Sequence, residues 1–240
     1  MALSVHTLFV VFVINFLALA LVWTYVVRSY PTFDAARYWC AASFVASLAS
    51  AMSLMRGLVD PFWPMLLGSG LFVFACCSGA MGIQRFYGKP ASWRLAAANT
   101  AISFVLLGVL GWTEQGVAMR IAVFSIGQSL PLVLALPLLL SHKSSPGARL
   151  AGFIIVITVF VHAARMVASF MYTAADATLD GYSTFQAAMV ILLVFSAMCW
   201  NFGFLLMAID RLREEVANLA LHDDLTGVAN RRQLFARLDS

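Results

Sequence analysis

The sequence predicts an all-α membrane protein. It reads as a seven-transmembrane helix bundle, N-terminus out and C-terminus in, followed by a cytoplasmic signalling helix. Three observations carry this reading. The 240 residues are 62% hydrophobic and only 11% charged, with a mean hydropathy of +0.89, whereas soluble domains carry about 25% charged residues. The sparse charges divide the chain into seven apolar runs near the roughly 20 residues that a spanning helix needs. Finally, Lys and Arg concentrate in alternate connections between the runs, as the positive-inside rule requires of cytoplasmic loops.

The first run is Thr7–Val27. Residues 1–6 contain no Lys or Arg, so the basic region that opens a cleaved signal peptide is missing, and the run is expected to be a retained helix. Arg28 and Arg37 follow it, then the second run, Tyr38–Met55, which ends at Arg56 and Asp60. The third run, Pro61–Gln84, leads to Arg85, Lys89 and Arg94, and the fourth, Leu95–Thr113, to Glu114 and Arg120. The fifth, Ile121–Ser141, holds Pro131 and Pro137, each of which frees a backbone carbonyl and favours a bend. Lys143 and Arg149 separate it from the sixth, Leu150–Tyr172, in which Arg165 is an internal full charge. A connection of 173–183, with Asp176 and Asp180, is too short to fold as a sensor domain and precedes the seventh run, Thr184–Ile209. The connections rich in basic residues are assigned to the cytoplasm. No internal repeat of the kind that marks many transporters is evident.

The excess of basic over acidic residues is scattered singly, so the net charge of +4 does not point to nucleic acid. Cys40, Cys76, Cys77 and Cys199 lie inside apolar runs without metal-ligand spacing and are expected to be small buried hydrophobes; no metal site is expected. The lysines, Lys89 and Lys143, fall in connections, which excludes a retinal Schiff base within a helix. A haem held by His6 and His162 is disfavoured because His6 sits at the chain start.

Charges inside a bilayer are costly and mark functional sites by default. His162 and Arg165 are three residues apart and share a helix face. By topology they fall in the outer half, as do Arg120 and Arg56 at the ends of their helices. Together these four form a candidate sensor pocket suited to an anion. The structural alternative is that Arg165 snorkels outward or pairs with Asp60, Glu114 or Asp176. Asn99, Gln128 and Asn201 are expected to hydrogen-bond between helices. Trp23, Tyr25, Trp93 and Trp112 fit an interfacial aromatic belt.

Past the seventh run the composition changes. Ile209, Leu212, Val216 and Leu219 follow the 4-3 spacing of coiled-coil seam positions, with Arg211 placed to pair with Glu214 and Glu215. Residues 209–222 therefore read as a linker helix, either self-packed or paired in a dimer. Thr226-Gly227 then breaks the helix, and Asn230 with Gln233 forms a capping box for a new one.

The stretch Asp223, Leu225, Thr226, Gly227, Asn230, Arg231 and Arg232 resembles the opening of GGDEF domains, the diguanylate cyclases, whose pattern is Asp-x-Leu-Thr-Gly-Leu-x-Asn-Arg-Arg; Val228 replaces the usual Leu. The resemblance covers only about the last twenty residues. It implies three parts: residues 1–208 as sensor or anchor, 209–222 as linker, and 223–240 as the truncated start and first helix of a GGDEF domain. The family joins two GTP into cyclic di-GMP across a dimer, with metal ions positioning the reacting groups. Its metal-binding carboxylates lie downstream of this opening, so no catalytic residue is expected in the chain, and GTP and magnesium belong to the missing catalytic part. The resemblance implies a bacterial inner-membrane homodimer that answers an unidentified small-molecule or lipid signal. A passive membrane anchor, a protein with a further phosphodiesterase domain, and a transporter-like protein are the alternatives.

Overall fold

The computed structural model describes residues 5–111, 116–141, 145–174 and 179–219. Seven α-helices occupy them: α1 (Val5–Ser29), α2 (Asp34–Leu54), α3 (Phe62–Phe86), α4 (Trp93–Gly111), α5 (Val117–Leu139), α6 (Pro146–Ala174) and α7 (Leu179–Leu219). A 3-10 turn, Met55–Gly57, extends α2. All seven are long and apolar enough to cross a membrane, and the chain fits a multi-pass membrane protein. The exposed residues are those a lipid solvent would accept: Val10, Ile14, Leu17 and Leu21 on α1, and Ile102, Val105 and Val109 on α4. Buried positions hold many hydroxyls instead, including Ser43, Ser47, Ser50 and Ser53 on α2. Ser43, Ser50 and Ser53 donate to carbonyls one turn back on their own helix, which satisfies them without a partner helix.

The packing order follows the chain with one exception. Helices α1, α2, α3, α5, α6 and α7 each pack on the next, and α7 returns to α1, so the six close a ring; α4 stands outside it against α3 and α5. Apolar burial gives little drive between helices in lipid, so close contact of backbones and side chains carries the association. Small residues allow that contact. A Cβ on Gly82 of α3 would collide with the Trp39 indole of α2. On α6, a Cβ at Gly147 would come within 2.6 Å of the Met207 nitrogen, and one at Gly203 of α7 would meet the Ala151 Cβ at 2.7 Å.

The boundaries differ from the sequence expectation in instructive places. Helix α2 begins at Asp34, ahead of Tyr38, because Asp34 reaches Arg85 of α3 and its neighbours Ala35 and Ala36 are buried. Helix α7 begins at Leu179, so the connection expected over 173–183 shrinks from both sides. Pro131 and Pro137 lie inside α5, which stays one helix through both. Helix α3 closes with Gly88 at φ 69°: the Gly88 amide donates to the Arg85 carbonyl and the Lys89 amide to that of Gln84, and Pro90 follows the turn.

Trp23 is a correction. It is not at an interfacial belt but fully buried, 4.9 Å from the Trp39 ring, with its indole nitrogen donating to Asn201 Oδ1 at 3.1 Å. An indole needs a polar partner wherever it is buried, and α7 supplies one. Tyr25 and Trp93 are exposed, as a belt requires. Trp112 lies outside the described residues.

Candidate functional site

The interior of the ring is not filled. A cavity of about 370 Å³ runs between its helices. That is within the range of small-molecule sites, roughly 300–1,000 Å³. Its middle is aromatic: Phe12 and Phe16 of α1, Phe72 of α3 and Phe124 of α5 meet one another at centroid distances of 6.1–6.3 Å. Toward the end of the bundle where α2 begins, the lining is Trp39, Trp200 and Phe204, with Trp39 and Phe204 stacked at 4.6 Å.

At the opposite end the lining turns cationic. Arg56, Arg120, His162 and Arg165 all face this one cavity. They arrive from three elements: the turn after α2, the first turn of α5, and two positions one turn apart on α6. Arg56 is exposed, with its guanidinium 5.6 Å from the Phe9 ring. Arg120 is half-buried, donates to the Gly111 carbonyl at 3.5 Å, and lies close enough to Arg56 for the two charges to interact. Arg165 is half-buried; its Nε donates to Gln186 Oε1 of α7 at 2.7 Å and its guanidinium lies 5.9 Å from the Phe124 ring. His162 is 3% exposed, and its Nδ1 has no hydrogen-bond partner among the described residues. No Asp or Glu among the described residues lines the cavity. Asp60 instead caps the start of α3, accepting from the Phe62 amide at 2.9 Å. The side chains of Glu114, Asp176 and Asp180 lie outside the described residues.

The other polar residues tie helices together. Asn99 of α4 donates to the Gly127 carbonyl of α5 at 2.8 Å and approaches Cys77 of α3 at 3.4 Å. Gln128 accepts a weak bond from Cys76 at 3.7 Å, and Asn201 accepts from Trp23. Cys76 and Cys77 are buried, Cys40 and Cys199 half-buried, and all four are free thiols. Among the described residues no three His, Cys, Asp or Glu side chains gather as a metal set. The side chain of His6 lies outside the described residues.

Helix α7 runs from this cavity to Leu219. Val190, Leu193, Ala197, Trp200, Asn201 and Phe204 form its wall, and the same helix runs unbroken to Leu219. Along the seam expected for a coil, Ile209 is exposed and Leu212 half-buried, while the side chains of Val216 and Leu219 lie outside the described residues. Arg211 does not simply point at solvent. It lies 5.7 Å from the Phe33 ring and 5.9 Å from the Phe86 ring, and donates to the Phe86 carbonyl at 3.4 Å. Asp210 accepts from the Gly147 amide at the start of α6, at 3.2 Å. The segment Asp223, Leu225, Thr226, Gly227, Asn230, Arg231 and Arg232 lies outside the described residues.

Sequence reasoning missed Gln186, Phe124 and the aromatic middle. Phenylalanine occurs throughout the apolar runs, so nothing marked these rings. Gln186 sits near the start of a run and is brought beside Arg165 only by the register of α7 on α6. Comparison with protein-family models, with curated proteins and with solved structures returns no match.

Proposed function

We propose that this helix bundle is the sensory, regulatory part of a membrane-bound diguanylate cyclase in the bacterial inner membrane, with its C-terminus cytoplasmic. The observation that carries the reading is the double role of α7. One face walls a cavity with a cationic end, and the same rod continues to Leu219, just ahead of the residues that resemble a GGDEF opening. An occupant of the cavity that prefers one packing of α7 shifts the equilibrium between packings by its difference in affinity. A continuous helix delivers that shift to the output domains, where GTP and magnesium belong. The Arg211 and Asp210 contacts hold the rod to its own bundle at the exit, so rotation or sliding there has contacts to exchange. In the homodimer, the 4-3 stripe of Ile209, Leu212, Val216 and Leu219 forms the seam.

The test is made in the full-length protein. Four residues inserted after Glu215 shift a heptad seam by about half a repeat while keeping the helix continuous, and seven restore its phase. We expect the four-residue insertion to change basal cyclic di-GMP output several-fold and the seven-residue insertion to return it near wild type. If both behave like wild type, or if an inert membrane anchor in place of residues 1–208 gives the same regulated output, the bundle is a passive anchor.

A further inference from the structure

The cavity carries more information than its charge. Its serine and threonine hydroxyls are largely spent on their own helices: Ser43, Ser53 and Thr158 donate to carbonyls one turn back at 2.9, 3.0 and 2.9 Å. The middle therefore offers an occupant mainly aromatic and aliphatic surface. The groups that would hold a polar head stand together at one end: Arg56, Arg120, Arg165, and the buried His162, whose Nδ1 has no partner among the described residues. The site is thus polarised along its length. From Arg120 to Leu132, both lining residues on α5, the helix rises about 18 Å at 1.5 Å per residue. A small inorganic anion would satisfy the cationic end and leave the aromatic middle empty. A neutral apolar molecule would fill the middle and leave like charges facing one another.

From this polarity we infer that the cavity binds a singly headed anionic amphiphile, with a carboxylate or phosphate among Arg56, Arg120, His162 and Arg165 and an unbranched apolar tail lying between the Phe side chains toward Leu132. Extended carbon chains advance roughly 1.3 Å per bond, given bonds of about 1.5 Å, so about twelve to fourteen carbons match the length. The inference deepens the proposed sensory reading and rests on it. Gln186 holds Arg165 against α7, so a head group that draws on Arg165 alters a contact of the output helix itself.

The experiment uses residues 1–240 in phosphatidylcholine nanodiscs, with labelled dodecanoate as probe. We expect saturable binding, with dodecanol about ten-fold weaker or worse and acetate undetectable at the same concentrations. Arg120→Gln and Arg165→Gln each weaken dodecanoate by about ten-fold, the range for losing a hydrogen bond to a charged group. Ala42→Phe narrows the far end without touching the cationic one, and should shift preference from dodecanoate to octanoate in a protein whose helicity is unchanged. It remains informative should either Arg variant fail to fold. Dodecyl phosphate that binds more tightly than dodecanoate assigns the head as phosphate. Loss of dodecanoate binding in nanodiscs containing phosphatidylglycerol assigns the natural occupant to the bilayer. Equal binding of dodecanol and dodecanoate, competition by acetate, or unchanged chain-length preference in Ala42→Phe overturns the inference. The sensory reading fails separately: dodecanoate would bind as expected and yet leave the cyclic di-GMP output of the full-length protein unchanged.

Discussion

At the end of the bundle where α2 begins, every charged side chain with a resolved contact is used to join parts of the chain. Asp34 of α2 takes Arg85 of α3, with Arg37 also at 3.8 Å. Asp210 of α7 takes the Gly147 amide of α6, and Arg211 lies against Phe33 and Phe86. At the other end Arg56, Arg120 and Arg165 converge on a cavity whose described lining contains no carboxylate. The packing follows the same division. Trp23, Trp39 and Phe204 are fully or nearly buried at the first end, while Phe124 and Arg120 at the second are half-exposed to the cavity. The contrast separates an end whose charges meet opposite charges and backbone groups from an end where Arg165 and Arg120 also join helices, through Gln186 and the Gly111 carbonyl, but where the charged groups of the described lining are all cationic. A structural ion pair costs stability when one partner is removed, whereas like charges facing a void cost stability while they remain.

The largest expected effect breaks the packed end. Trp39→Ala removes an indole that meets Trp23, Phe33, Phe86 and Phe204 and donates to the Gly79 carbonyl at 3.2 Å. We expect a loss of about 3 kcal/mol in unfolding free energy measured in lipid. That is the low end for Trp→Ala, because lipid removes much of the transfer contribution and leaves the lost contacts. Phe124→Ala, at the cavity, should cost less than half as much, since one side of that ring already faces open space. Equal costs would mean that the cavity wall is as tightly packed as the closed end.

Next in size is a change of opposite sign. Arg120→Gln relieves the repulsion with Arg56 and keeps hydrogen-bonding capacity toward the Gly111 carbonyl. Without added amphiphile we expect unfolding free energy to rise by up to about 1 kcal/mol, the scale of two unit charges about 4 Å apart in a water-like dielectric. A fall of 1 kcal/mol or more would show that an acidic group of the chain already neutralises Arg120.

The same division explains how much was legible beforehand. Seven apolar runs and their alternating basic flanks are one-dimensional signals, and the helices follow them with shifts of a few residues. Arg165, His162, Arg120 and Arg56 stood out because each charged or titratable group is conspicuous against an apolar background, and the structure places all four on one cavity. What sequence could not provide was which helices close the ring. That decides why Trp23 is buried rather than at a lipid interface, why Gln186 meets Arg165, and why α4 stands outside. Those outcomes depend on rotation of each helix about its axis. Glycines such as Gly82 and Gly147 fix that rotation through close approach, yet in the sequence they look like any other small residue in an apolar run.

The smallest expected effect concerns Asp34 and Arg85, and it sets the scale of the structural charges. Their side chains keep 44% and 35% of their exposure, so water screens the pair even though its geometry is close. Exposed pairs contribute about 0.2–1 kcal/mol in double-mutant cycles. Arg37, on the same helix as Asp34, supplies a second cation and dilutes what Arg85 adds. We therefore expect Asp34→Asn, Arg85→Gln and the double variant to give a coupling energy of about 0.5 kcal/mol, reduced further at 1 M salt, where the screening length falls to about 3 Å. A coupling above 2 kcal/mol that persists in salt would mean that the pair is shielded from water in the membrane. The distinction between the two ends would then lie in whether a partner is present and no longer in exposure. A coupling near zero would leave the Trp39 and Gly82 packing, together with the Asp210 cap on α6, as what holds this end closed.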